Sequence, residues 1–127
     1  MERLLHYVWK YKLYAAASLA TTDGRPVQVI DPGMQNTDAG PDFFNAKIKI
    51  DGTLWAGSVE IHDKASDWLL HHHDTDKAYD SVVLHVTGVD DFLPVRTNGE
   101  PIPQLVLAVP DTVARSIDWL LYREASL

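Results

Sequence analysis

Gly40-Pro41-Asp42-Phe43-Phe44-Asn45-Ala46-Lys47-Ile48-Lys49-Ile50-Asp51-Gly52-Thr53-Leu54-Trp55-Ala56-Gly57-Ser58-Val59-Glu60-Ile61-His62 is the stretch whose reading decides the fold. From Phe43 to Ile50 the residue types alternate. Asp42, Phe44, Ala46, Ile48 and Ile50 fall on one face of a strand, and Phe43, Asn45, Lys47 and Lys49 on the other. Asp51-Gly52 supplies a two-residue hairpin turn, because glycine accepts positive φ without a Cβ clash. The return strand, Leu54 to His62, sets Leu54, Ala56, Ser58, Glu60 and His62 on one face, with Trp55, Gly57, Val59 and Ile61 on the other. In an antiparallel hairpin the start of the first strand lies beside the end of the second, so Asp42 is expected next to Glu60 and His62.

Working outward toward the N-terminus, Val27-Gln28-Val29-Ile30 reads as a short strand, stopped by Asp31-Pro32-Gly33 and preceded by the turn dipeptide Asp23-Gly24. Ahead of it, Leu4, Leu5, Val8, Trp9 and Leu13 recur at helical spacing, which predicts an amphipathic helix from Glu2 to about Tyr14 packed on the sheet. Tyr7, Tyr11 and Tyr14 form a second stripe on that helix, read as a flank against the core.

Toward the C-terminus, Lys64 to Leu70 suggests a short helix capped by Ser66 or Asp63. The polar run His71-His72-His73-Asp74-Thr75-Asp76 reads as a solvated tract. Ser81 to Val86 is a mostly apolar strand, expected to be central and buried on both faces. Asn98-Gly99 predicts a hairpin between strands near Phe92–Thr97 and Gln104–Val109, the second at an edge because Pro101 and Pro103 lack an N–H. Asp111 is placed to cap a final helix, Thr112 to about Arg123, burying Val113, Ile117, Leu120 and Leu121. The order is helix, three strands, helix, strand, then a hairpin and a closing helix. That is an α+β chain, or a small mixed-sheet α/β one, in a single domain over 1–127.

Composition bounds the function. At 127 residues with 46 % apolar and 23 % charged residues, the chain can bury a core without staples. Cysteine is absent, which excludes disulfides, thiolate catalysis and cysteine-ligated zinc. The first residues carry charge and lead into no long apolar run, so neither a signal peptide nor a membrane span is expected, and the reading is cytoplasmic. A net charge of −7 argues against tight binding of nucleic acid by this chain alone, since phosphate neutralisation dominates that affinity. Bound metal ions offsetting a cluster of acids, or a basic neighbouring segment, would change that balance.

Asp42, Glu60 and His62 are the residues on which chemistry is expected. Hard divalent cations such as Mg²⁺ or Mn²⁺ take one or two carboxylates, with water and substrate phosphate completing the shell. Two acids from adjacent strand ends meet that need, and an imidazole beside them can orient the attacking water. Asp42 and Glu60 are thus candidate metal ligands, with His62 and His85 as further candidates, and Asp42, Glu60 and His62 form the candidate catalytic set. The surface alternative is that Asp42 merely begins a strand and Glu60 pairs with Lys47 or Lys49.

Pro41-Asp42 and Glu60-Ile61-His62, in that order of elements, resemble the PD-(D/E)XK phosphodiesterase superfamily over about Glu2 to Val86. The resemblance implies a restriction endonuclease-like core, a divalent cation, nucleic acid as partner and phosphodiester hydrolysis. His62 stands where that superfamily usually has lysine; Lys64 is a candidate substitute, while Lys47 and Lys49 read as lying on the wrong strand face. At finer grain, Asn36-Thr37-Asp38-Ala39-Gly40-Pro41-Asp42-Phe43, Gly57-Ser58-Val59-Glu60-Ile61-His62 and Ser66-Asp67-Trp68 resemble an uncharacterised bacterial family, domain of unknown function 2851. That resemblance spans most of the chain and brings no established activity. Members continue beyond these residues, which implies an N-terminal portion or a short member.

Two other functions stay open. One is a non-catalytic binding or scaffolding module with a degenerate nuclease-like fold, suggested by the missing lysine and the acidic charge. The other is a histidine-rich transition-metal protein using His62, the His71–His73 run, Asp74, Asp76 and His85, because imidazole suits zinc, iron and nickel. Trp9, Trp55, Trp68 and Trp119 are read as core or core-edge anchors.

Overall fold

The computed structural model describes residues 2–116. It is an α+β structure with a six-stranded mixed sheet and few helices: α1 (Glu2–Lys10), β1 (Val27–Asp31), β2 (Met34–Gln35), β3 (Phe43–Ile50), β4 (Thr53–Lys64), α2 (Asp67–Leu70), β5 (Val82–Val89), β6 (Gln104–Val106) and α3 (Asp111–Arg115). The strands lie in the order β1-β3-β4-β5-β6, with the short β2 also pairing β3. β1, β3 and β4 form an antiparallel meander, whereas β5 runs parallel to β4 and β6 parallel to β5. No helix among the described residues is long and apolar enough to cross a membrane.

The β3–β4 hairpin forms as its alternation dictates, with Asp51 and Gly52 both at positive φ in the turn. One face of the meander, with Phe43, Ala46, Ile48, Ile50, Val59 and Ile61, packs under Leu5, Val8 and Trp9 of α1. The Trp9 indole donates to the Pro32 carbonyl, which ties the helix to the β1–β2 turn. The opposite face of β4 and β5 is covered by the connection between them. Trp68 of α2 and Tyr79 pack there with Val82 and Ile102 in a second, smaller core. β5 is therefore interior and buried on both faces, and β6 is the sheet's edge, as its neighbouring prolines require.

Several expectations are corrected. A bulge between Phe43 and Ala46, with Asn45 at φ 58°, shifts the alternation of β3, so Phe43 is buried and Phe44 is exposed. Lys47 pairs with Ala56 and Lys49 with Leu54, which puts both lysines on the face of β4 that carries Glu60 and His62. Helix α1 stops at Lys10 rather than near Tyr14, with Lys12 at positive φ. The turn at Asn98-Gly99 exists, but its flanks are joined only by the Val95–Pro101 bridge, and β6 pairs with β5 instead. Trp55 is half exposed, because β5 begins opposite Ser58 and leaves that end of β4 paired only with β3. Pro110, not Asp111, occupies the position before α3, and Asp111 lies in its first turn. Ile117, Trp119, Leu120 and Leu121 lie outside the described residues.

Candidate metal centre

Register alone builds a polar row across the sheet. Glu60 of β4 lies beside His85 of β5, and His85 beside Gln104 of β6. Side chains of paired residues share a face, so all three point to the side covered by α2 and the turns after it. Asp42, one residue before β3, adds itself to the Glu60 end of the row.

The contact between the two acids is reciprocal. The Asp42 N–H donates to Glu60 Oε1 at 3.0 Å, and the Ile61 N–H donates to Asp42 Oδ2 at 2.8 Å. From α1, His6 Nε2 approaches Asp42 Oδ2 at 3.5 Å. Burial, the adjacent Glu60 charge and a hydrogen bond shared with Glu60 all push the Asp42 carboxyl upward. Burial acts in the same sense on Glu60, but hydrogen bonds from His62, His73 and Asp42 outweigh it and hold Glu60 low. The two carboxyls are thus pushed apart, Asp42 toward the protonated form and Glu60 toward the charged one.

Glu60 Oε2 is the focus of the site. His62 Nε2 stands 3.1 Å from it and His73 Nε2 2.9 Å. His73 opens a 3-10 turn (His73–Thr75) and is buried, a correction to the reading of the histidine run as solvated. His72 takes a left-handed conformation at φ 60° just before it, and the His73 ring stacks on Tyr79 at 3.6 Å between centroids. Trp68 closes on it edge-to-face at 5.3 Å. His62, His71 and His73 each offer a ring nitrogen within 4.8 Å of the others, a group that could hold a metal ion. His71 is the exposed member and faces solvent.

Behind the cluster, His62 Nδ1 is 2.7 Å from His85 Nε2, and His85 Nδ1 is 2.7 Å from Gln104 Oε1. His85 is fully buried, and burial above all pushes its pKa down to about 4. Both its nitrogens are taken, so it supports His62 from behind. A cleft of about 230 Å³ lies along α1, lined by Glu2, Arg3, His6, Tyr7, Lys10 and Gln35, of which His6 also approaches Asp42.

Asp42, Glu60 and His62, named from the hairpin, thus converge. His73 was named in the sequence only within the histidine-rich alternative, and Gln104 was not singled out at all; the return of the chain over the sheet brings in the first and the pairing of β5 with β6 the second. Of these side chains, the His62, His71 and His73 group is the one whose ring nitrogens lie close enough together to hold a metal ion.

No curated protein matches the chain. No solved structure matches it either. A family model does match residues 2–127, and the chain belongs to that family, described as protein of unknown function (DUF2851).

Proposed function

We propose that this chain is a divalent-metal-dependent hydrolase domain of phosphodiesterase type, with the ion held by Glu60, His62 and His73, and with Asp42 and His71 completing the shell. The observation that carries the reading is the single carboxylate oxygen of Glu60 faced by two imidazole nitrogens, at 3.1 and 2.9 Å, beside a second acid from the adjacent strand end. Three imidazoles among the donors favour Mn²⁺, Zn²⁺ or iron over Mg²⁺. A bound cation would supply charge stabilisation at phosphorus and lower the pKa of a water. The protein's part is to hold the donors rigidly: the Ile61 N–H of β4 donates to Asp42, and His73 of the 73–75 turn is within hydrogen-bond distance of Glu60.

We draw on the antiparallel meander with a parallel fourth strand, with Asp42 at the entry of one strand and Glu60 toward the end of the next. Arg3 and Lys10 in the cleft wall are cations suited to a phosphate chain, although Glu2 lines the same cleft and Lys10 donates to Gln35. A second reading, a transition-metal-binding module without turnover, is favoured by the histidine triad and by the absence of a lysine at the position of His62.

Calorimetric titration with Mn²⁺ and Zn²⁺, followed by assay on bis(p-nitrophenyl) phosphate, DNA and RNA, tests both. One ion bound per chain, metal-dependent cleavage, and loss of both in Glu60→Gln are expected. Unchanged metal binding in Glu60→Gln refutes the site, and binding without cleavage selects the module.

A further inference from the structure

The row behind the metal centre fixes where hydrogens sit. Gln104 Nε2 lies 2.8 Å from Asp90 Oδ1 and 3.0 Å from the Phe92 carbonyl. Both of those are acceptors, so that atom is the amide nitrogen whichever way the side chain is first drawn. The remaining amide atom, 2.7 Å from His85 Nδ1, is the carbonyl oxygen, and it can only accept. His85 Nδ1 therefore carries a hydrogen. Among the described residues the ring's two hydrogen bonds go to His62 and Gln104 and to no carboxylate, and it has no solvent exposure; a buried cation so placed is costly, so its Nε2 is a lone pair. The atom 2.7 Å from that lone pair is His62 Nδ1, which must be the donor.

The consequence falls on the other side of His62. With one hydrogen committed to Nδ1, Nε2 is the nitrogen left facing Glu60 Oε2, at 3.1 Å. A divalent cation seated between that nitrogen and the carboxylate oxygen would be attracted by both. We propose that Gln104 and His85 are positioning residues that hold His62 as its Nδ1–H tautomer and aim Nε2, as a ligand nitrogen, at a divalent transition metal of the zinc class. The proposal rests on the metal-centre reading above. Partners that hold the far N–H of a ligating histidine set its ring orientation and raise its basicity, and losing them typically costs about 10–100-fold in metal affinity.

Long-range ¹H–¹⁵N correlation spectra of the imidazoles, taken on the intact chain with and without Zn²⁺, read the tautomer directly. His62 protonated at Nδ1 in both states is expected; a bare Nδ1 with the hydrogen on Nε2 overturns the proposal. Zn²⁺ affinity is then measured by competition with a chromophoric chelator. His85→Leu, which keeps an apolar side chain in the core, is expected to bind Zn²⁺ about 10–100-fold more weakly. His85→Gln, whose amide oxygen can accept from His62 Nδ1, is expected to keep most of the affinity. Equal affinity in His85→Leu and wild type overturns the positioning role, as does equal loss in both variants. Should His85→Leu not fold, the wild-type spectrum and Gln104→Met, which removes the acceptor for His85 Nδ1, decide the matter. A wild-type chain that binds no Zn²⁺ instead refutes the metal centre itself, and with it the ligand role of Nε2, while the Nδ1–H assignment stays readable in the spectrum.

Discussion

Gly57→Ala is expected to destabilise the fold and loosen the site together. Gly57 lies in β4, opposite Ala46 of β3 and beside the entry of β5. A Cβ at this position would stand 2.5 Å from the Ser81 carbonyl oxygen and 2.6 Å from Val83 Cγ1. Carbon atoms rest at about 3.5–4.0 Å, so the methyl overlaps Val83 by about 1 Å. One of its two obstacles is backbone, which cannot rotate away as a side chain can. The mutant must push the start of β5 off β4, at about 2–3 kcal/mol, the upper part of the range for overpacking. For a chain of 127 residues that lowers Tm by about 10 °C. The same displacement lengthens the 2.7 Å His62–His85 contact, because both side chains project from this strand pair, so metal affinity should fall as well. Thermal and urea melts with circular dichroism measure the first effect, and Zn²⁺ titration the second. Gly52→Ala serves as control: nothing lies within 4 Å of its Cβ, and only its φ of +83° resists the change. It should cost about 1 kcal/mol and leave metal binding alone. Gly57→Ala melting within about 2 °C of wild type would refute the close approach of β4 and β5 on which this reasoning depends.

Three further outcomes are expected. Trp68→Ala should cost about 3–5 kcal/mol by urea titration, because the indole is fully buried, donates to the Val95 carbonyl and packs on His73, His85 and Tyr79. A loss under about 1 kcal/mol would contradict its place at the centre of the second core. Zn²⁺ at about a hundred times its Kd should add about 2.7 kcal/mol to the wild type, and none to His73→Ala, by thermal shift; an equal shift in both would remove His73 from the centre. Asp91 accepts from the Ser66 hydroxyl and N–H, which hold its carboxyl below the usual range. A depressed folded-state pKa gives stability that is present above the unfolded value and is lost as pH falls through the folded one. The Tm deficit of Asp91→Ala should therefore be seen at neutral pH and vanish in acid, and a deficit independent of pH would show that the cap does not act through the charge.

Much of the site was legible in the sequence because a strand repeats every two residues and a hairpin turn sets the register. Asp42, Glu60 and His62 follow from those two facts alone. The bulge at Phe44 and Asn45 was not legible, since one extra residue leaves the composition of an alternating strand unchanged. Nor was the exposure of Trp55, which depends on where β5 starts and not on any neighbour in sequence.

The sequence by itself determined the β3–β4 hairpin, the buried central strand β5 and the meeting of Asp42 with Glu60, because each depends on local periodicity and turn chemistry. Only the tertiary structure decided that β6 lies parallel beside β5, that His73 folds back onto Glu60, and that Gln104 and His85 stand behind His62. Those contacts join residues 13 to 23 positions apart through a crossover and a parallel edge. Such pairings are selected by which surfaces the whole chain can bury at once, and no local pattern in the chain encodes them.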